Sequence, residues 1–190
     1  INHAGGAPTT VSSETVDLIT KALEYCELSE GLFDITIGGV VNLWDFVEGV
    51  VPDADALTEA LSHVDYHNVN VDGSTFTVSD PQSQLDLGAI AKGYITDDIV
   101  NLLKEQGCES ALINLGGNTY ALGTKPDGSD WRVGIQDPHE ATGTSFGVVT
   151  VADKSIVTSG INERSFEKDG VLYYHLIDPR TGMPAQSGLA

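Results

Sequence analysis

The amino-acid sequence predicts an α+β fold in which a mostly antiparallel sheet is flanked by helices. Two long stretches have the apolar spacing of amphipathic helices, and short β-type runs separated by glycine turns make up much of the remainder. The predicted strands outnumber the helices that could cross over between parallel strands. This imbalance favours antiparallel hairpins over a doubly wound parallel sheet.

The first half of the chain is predicted to contain two helices and a hairpin. The first helix follows N-cap candidates among residues 9–13 and carries acidic residues in its first turn. A glycine-punctuated, β-branched stretch follows over 33–44, and a shorter helix is predicted over 53–64. Residues 69–78 alternate in hydrophobicity on both sides of an Asp-Gly pair, which predicts a hairpin.

The second half is predicted to open with a strand and a long helix and to continue as strands. Residues 85–88 are assigned to a short strand, and the helix is expected to begin at about Ala89 and to end at Gly107. Its apolar face is assigned to Ile90, Tyr94, Ile95, Ile99, Leu102 and Leu103. Residues 110–118 read as a buried strand that enters a Gly-Gly turn, and short β runs follow up to residue 178.

Composition bounds the possible partners. The chain has 190 residues and a net charge of −19, and 41% of its residues are hydrophobic. It can therefore bury a core, and its field repels nucleic acid and anionic membranes. A phosphate-bearing ligand would need local cations, backbone N–H groups and a divalent metal. The chain opens at Ile1 without a methionine and ends soon after a turn, so we expect an incomplete fold.

The two cysteines lie far apart in the sequence, each among apolar residues. Cys26 and Cys108 are therefore predicted to be buried free thiols. A disulfide between them is an alternative that the sequence leaves undecided. A metal site is not indicated, because neither cysteine has further ligands at the spacing that metal sites use.

The strongest local signal for chemistry is the stretch 85–94. Asp86 ends the predicted strand, and the helix that follows offers free N–H groups to an anion. Lys92 is placed in the first helical turn, where the helix dipole disfavours a cation, and this suggests that it binds an anion. The alternative is a solvated lysine on the polar face.

Three other turns carry groups of interest. Gly116 and Gly117 can expose backbone N–H groups to a phosphate or a ring, or can form a plain tight turn. His175 is placed on a β run just before an Asp-Pro turn, where it is either a structural histidine or part of a site. A further turn at Ser159-Gly160 is followed by Arg164. Together these turns suggest loops gathered around one ligand.

Six segments, taken in order, resemble the ApbE family of FAD:protein FMN transferases. They are 29–36, 41–44, 85–94, 113–118, 158–160 and 175–182. The resemblance implies one flavin transferase domain over 1–190, with an N-terminal strand region and a C-terminal metal-ligand region outside the chain. The implied reaction depends on Mg²⁺ and splits FAD. FMN is joined through its phosphate to a Thr or Ser hydroxyl of an acceptor flavoprotein, and AMP leaves.

The resemblance also implies roles for individual residues. His175 corresponds to the family histidine that acts in transfer, and Ala89 to the position whose backbone carbonyl binds the metal. The residues expected to contact FAD are Leu32, Phe33, Asp34, Asp86, Lys92, Gly116, Gly117 and Ile177. Two other functions stay open: an FAD pyrophosphatase that uses water, and a non-catalytic flavin-binding domain. Many relatives are lipid-anchored outside the cytoplasmic membrane, so an extracytoplasmic location is expected.

Overall fold

The computed structural model describes residues 1–138, 140, 143–160 and 164–186. The chain divides into two compact units. The first unit consists of Ile1–Ala89 together with Arg164–Leu189, and the second of Ile90–Glu163.

The described helices and strands give an α+β fold, as predicted. The helices are α1 (Ser13–Leu28), α2 (Gly38–Val41), α3 (Ala54–Leu61) and α4 (Gly88–Glu105), and a 3₁₀ turn spans Tyr66–Asn68. The strands are β1 (Thr9–Thr10), β2 (Val69–Asp72), β3 (Thr75–Val78), β4 (Ala111–Leu115), β5 (Asn118–Leu122), β6 (Trp131–Gln136), β7 (Ser145–Val151), β8 (Lys154–Val157), β9 (Ser165–Lys168) and β10 (Val171–Tyr174).

The strands pair antiparallel in four small sheets rather than in one large one. The first unit contains the sheet β1-β3-β2 and the hairpin β9-β10, and the second contains β4-β5-β8 and the hairpin β6-β7. Over the described residues, no helix combines the length and the apolar character needed to cross a membrane.

Helix α1 forms where its sequence signals predict it. The Oγ of the N-cap Ser12 accepts a hydrogen bond from the backbone N–H of Thr15 at 3.4 Å. Ile19, Ala22 and Cys26 recur at helical spacing and form its buried face. Both cysteines are free, as predicted, but only Cys26 is buried and Cys108 is partly exposed. Burial raises the pKa of the Cys26 thiol to about 11.

Neither the β-branched stretch 33–44 nor the stretch 85–88 forms a strand. Within 33–44 the regular element is the short helix α2, where the N–H of Gly38 donates to the carbonyl of Gln84 at 2.8 Å. The strand predicted for 85–88 is wrong. The backbone of Leu85 bonds to the side-chain amide of Asn2, and the N–H of Asp86 donates to the carbonyl of Ile35. These distant partners take the place of a neighbouring strand.

In the second unit, α4 packs on the sheet through a core of Val100, Ile113 and Leu122. The apolar face predicted for α4 is partly wrong, because Ile95 and Leu102 are 47% and 57% exposed. Thr96 and Val100 mark the buried side of α4. Successive residues of a helix are rotated by about 100°, so Ile95 and Leu102 point away from that side.

Candidate functional site

The loop at 32–36 in the first unit is organised by a buried carboxylate. Asp34 Oδ1 accepts hydrogen bonds from the N–H and the hydroxyl of Thr36 at 2.8 and 2.6 Å. Its Oδ2 accepts from the N–H of Tyr66 at 3.0 Å. Both oxygens of Asp34 therefore hold the loop, while Leu32, which is 57% exposed, is presented to the outside.

Replacing Asp34 by Ala is expected to lower the free energy of unfolding by about 2–3 kcal/mol, because it leaves buried donors without an acceptor. Chemical denaturation checks this. Asp45→Ala is the control, since Asp45 is exposed and accepts from Val47 N and Glu48 N, both at 2.9 Å. It should cost less than about 1 kcal/mol. Equal losses would show that the burial of Asp34 adds nothing.

Asp86 joins this loop to the beginning of α4. Its N–H donates to the carbonyl of Ile35 at 2.8 Å, and its Oδ1 accepts from the N–H of Gly88 at 2.7 Å. A Cβ on Gly88 would lie 2.9 Å from that same oxygen, so a side chain at this position would push the Asp86 carboxylate aside. The structure thus brings together two segments expected to bind FAD, 32–34 and Asp86.

The residue expected to bind magnesium lies at the beginning of α4. Ala89, the expected carbonyl ligand, is the second residue of α4 and is exposed. Mg²⁺ takes six oxygen ligands and commonly one or two carboxylates. Within the described ranges, no group of three or more His, Cys, Asp or Glu side chains is arranged to hold a metal.

His175 directly follows β10 instead of lying within a strand, which corrects its predicted position. Its N–H donates to the carbonyl of Arg164 at 3.1 Å, so the β9-β10 pairing continues to this residue. Ile177, two residues further on, forms an isolated antiparallel bridge with Pro184. The half-buried imidazole and Ile177 therefore lie on backbone held by hydrogen bonds on both sides.

The turn after Ile177 contains an ion pair. The guanidinium of Arg180 donates to both carboxylate oxygens of Asp178, with Nη2 at 2.6 Å from Oδ2 and Nε at 2.9 Å from Oδ1. These hydrogen bonds lower the pKa of Asp178. Since its charge is balanced in this way, Arg180 is a weaker candidate than Lys92 for holding a phosphate.

An aromatic cluster that the sequence did not reveal supports the same turn. It is formed by Trp44, Phe46, Phe166 and Tyr173, whose successive ring centroids lie 5.2–6.0 Å apart. The Trp44 Nε1–H donates to the carbonyl of Gly182 at 3.0 Å. The local sequence could not indicate this contact, because the two residues are 138 positions apart.

The second unit brings Lys92 and the glycine turn together. Gly116 and Gly117 form a two-residue hairpin loop with φ values of 56° and 85°, which suit glycine. Lys92 Nζ donates to the carbonyl of Gly116 at 3.3 Å. Lys92 is the fifth residue of α4, so its predicted place in the first turn is wrong. Its exposed ammonium keeps further donors for a ligand.

Comparison with known proteins identifies the family. The model of the ApbE family matches residues 1–190. The chain is 45% identical to a FAD:protein FMN transferase of Treponema pallidum, with 97% of this chain and 56% of that protein covered. It is 40% identical to one of Klebsiella pneumoniae, with coverage of 100% and 60%.

Solved structures agree with this assignment. The ApbE protein of Thermotoga maritima superposes with a TM-score of 0.89 at 32% identity, and the match covers 97% of this chain and 61% of that one. The flavin transferase ApbE of Vibrio cholerae gives 0.80 at 33% identity, with coverage of 94% and 58%. The chain thus spans somewhat more than half the length of the relatives it matches. The sequence and fold matches both extend over nearly the whole chain, and the chain belongs to the ApbE family.

Proposed function

We propose that the full-length protein transfers FMN from FAD to a Thr or Ser hydroxyl of an acceptor flavoprotein and releases AMP. The name shared by its relatives supports FAD as the substrate. The observation that carries the proposal is the contact of Lys92 with the Gly116-Gly117 turn. In a chain of net charge −19, a pyrophosphate needs a local cation, and Lys92 supplies one. The expected N–H of Gly117 is instead bound to Asn114 Oδ1 at 3.2 Å.

In the proposed reaction, the acceptor oxygen attacks the phosphorus of the FMN half of FAD. A new P–O bond forms to the acceptor, the P–O bond to the AMP half breaks, and AMP leaves with that oxygen. The acceptor hydroxyl must lose its proton as the new bond forms, and we assign its removal to a ring nitrogen of His175. We assign to Lys92 the neutralisation of charge on the pyrophosphate. The loop at 32–34, Asp86 and Ile177 are assigned to contacts that position the flavin.

Magnesium is part of the proposal as a requirement of the whole protein. When bound, Mg²⁺ would neutralise charge on the phosphates. Ala89 is the residue of this chain that we assign to it.

A mass assay tests the proposed function. The full-length protein is incubated with FAD, Mg²⁺ and an acceptor flavoprotein, and a parallel reaction contains EDTA. We expect the acceptor to gain the mass of FMN and AMP to appear only when Mg²⁺ is present. Free FMN with an unmodified acceptor would indicate a FAD pyrophosphatase. FAD binding without either product would indicate a flavin-binding domain.

Lys92→Ala is expected to weaken FAD binding by about tenfold. A charge-assisted hydrogen bond is worth about 1.5–3 kcal/mol, and solvent screening reduces this for an exposed ammonium. The matched control is Lys104→Ala, which removes another exposed lysine near the other end of α4. Titration of each variant with FAD gives the two affinities. Indistinguishable dissociation constants would remove Lys92 from the site.

We also propose that the protein works outside the cytoplasmic membrane as an anchored lipoprotein. The support is the resemblance to a family in which many members do so. Fractionation of cells that express the full-length protein tests this, and recovery in the cytosol would contradict it.

A further inference from the structure

His63, which lies between α3 and β2, binds one segment of the chain at two points. Its ring Nδ1 is 2.7 Å from Asp80 Oδ2, and its carbonyl oxygen accepts a hydrogen bond from the hydroxyl of Ser83 at 2.6 Å. The His63 side chain is only 18% exposed. Ring and backbone together therefore fix residues 80–83 against the end of α3.

The surroundings of the ring favour its charged form. Besides Asp80, which follows β3, the ring faces Glu59 of α3, with Nε2 at 3.4 Å from Glu59 Oε1. Ionised carboxylates only accept hydrogen bonds, so Nδ1 must carry a proton to bind Asp80. A second proton on Nε2 gives the ring its positive charge and adds the contact with Glu59. The Asp80 contact dominates, because it is shorter and Glu59 is 73% exposed. The hydrogen bond to Asp80 raises the pKa of His63, and the same bond lowers the pKa of Asp80.

The segment that His63 holds leads directly into the candidate flavin site. Just beyond Ser83, the carbonyl of Gln84 accepts from the N–H of Gly38 at 2.8 Å. Two residues later, the N–H of Asp86 donates to the carbonyl of Ile35 at 2.8 Å. A displacement of residues 80–83 would therefore reach both Asp86 and the loop at 32–36.

We propose that His63 is a positioning residue whose protonated ring holds the segment 80–86 and thereby keeps Asp86 and the 32–36 loop in the geometry that binds FAD. The proposal rests on the proposed function in naming FAD as the ligand.

The sign of the pH dependence follows from the direction of the two shifts. Because the folded pKa of His63 is raised, its contribution is complete below about pH 6.5, the ordinary value for histidine, and is lost as the pH rises through the folded pKa. The pKa of Asp80 is lowered in the folded protein, so the contribution of Asp80 to holding the segment is lost only in acid, as the pH falls through that lowered pKa. The segment is thus held best in the window between the two.

The chain contains a matched control in a second histidine–aspartate pair. His67 Nδ1 lies 2.7 Å from Asp65 Oδ1, the same distance as in the His63–Asp80 pair. The His67 side chain, however, is 68% exposed, and its partner is only two residues away. This pair has the same chemistry but joins no separate segments.

The test compares FAD dissociation constants of the wild type, His63→Gln and His67→Gln at about pH 6 and about pH 8.5, below and well above the ordinary pKa of histidine. We expect His63→Gln to bind FAD about two- to fivefold more weakly than the wild type at the lower pH, the range of a partly screened ion pair. At the higher pH the ratio should be smaller, because a neutral ring that keeps its Nδ1–H offers Asp80 only an uncharged hydrogen bond. His67→Gln should match the wild type at both. A ratio for His63→Gln that does not change with pH, or a pH-dependent ratio for His67→Gln, would overturn the proposal.

Hydrogen exchange separates this proposal from the proposed function. The amides of Asp86 and Gly88 should exchange faster in His63→Gln than in the wild type at about pH 6, and this difference should be smaller at about pH 8.5. Absence of FAD binding in the wild type would contradict the proposed function, and the exchange data would then decide the role of His63. Equal exchange in both proteins at the lower pH would overturn it.

Discussion

We expect the His175→Ala substitution to slow FMN transfer by about 10²–10⁴-fold while FAD remains bound, because a positioned base contributes a factor of that size. The backbone at this residue is held by the hydrogen bond from its N–H to the Arg164 carbonyl, which the substitution leaves in place. Binding is assigned to Lys92 and the glycine turn, so it need not involve the imidazole. The measurement is a single-turnover reaction with FAD, Mg²⁺ and an acceptor peptide, followed by mass, with FAD affinity determined in parallel.

His67→Ala is the control for this experiment, since His67 is an exposed histidine outside the family segments. It should transfer FMN at the wild-type rate. A purely structural His175 predicts a different outcome: His175→Gln would lose thermal stability but keep a normal transfer rate. Transfer by His175→Ala at the wild-type rate would end the assignment of His175 as the base.

The parts of the fold that the sequence predicted are those specified by neighbouring residues. Helix α1 has its cap and its buried face within 16 residues, and the hairpin of β2 and β3 turns at Gly73, whose φ is 57°. The stretch 85–88 was assigned wrongly because its backbone partners, Asn2 and Ile35, lie far away in the sequence. Nothing local distinguishes such a segment from a short strand.

The same distinction applies to the candidate site. Lys92 and Gly116, which are in contact, were each predicted from the neighbouring sequence to bind a ligand. The contact between them was not predicted. The sequence also singled out Asp34. It could not show that the Asp34 carboxylate accepts hydrogen bonds from Thr36 and Tyr66, because that depends on the tertiary structure. The match of six motifs to one family predicts which residues bind FAD, and the structure shows that Asp34 and Asp86 among them shape the backbone.

Gly182→Ala is expected to lower the free energy of unfolding by about 3–4 kcal/mol. Gly182 is buried and has a φ of 67°, a conformation that costs an L-residue about 1–2 kcal/mol. A Cβ at this position would also lie 2.7 Å from Leu57 Cδ1 and 3.0 Å from Leu57 Cγ. Leu57 is itself buried, so it cannot move aside freely, and overpacking of this kind costs about 1–3 kcal/mol.

Gly170→Ala separates the two contributions, because Gly170 has a φ of 76° but nothing within 4 Å of the added methyl group. It should cost only the backbone term of about 1–2 kcal/mol. Chemical denaturation of both variants therefore measures the packing term as their difference, and equal losses would show that Leu57 yields without cost. The packing term matters for the site, because the carbonyl of Gly182 accepts the Trp44 indole N–H that holds the turn after Ile177. If the methyl group displaces that carbonyl, the loss of stability should be accompanied by a change in tryptophan fluorescence in Gly182→Ala and by none in Gly170→Ala.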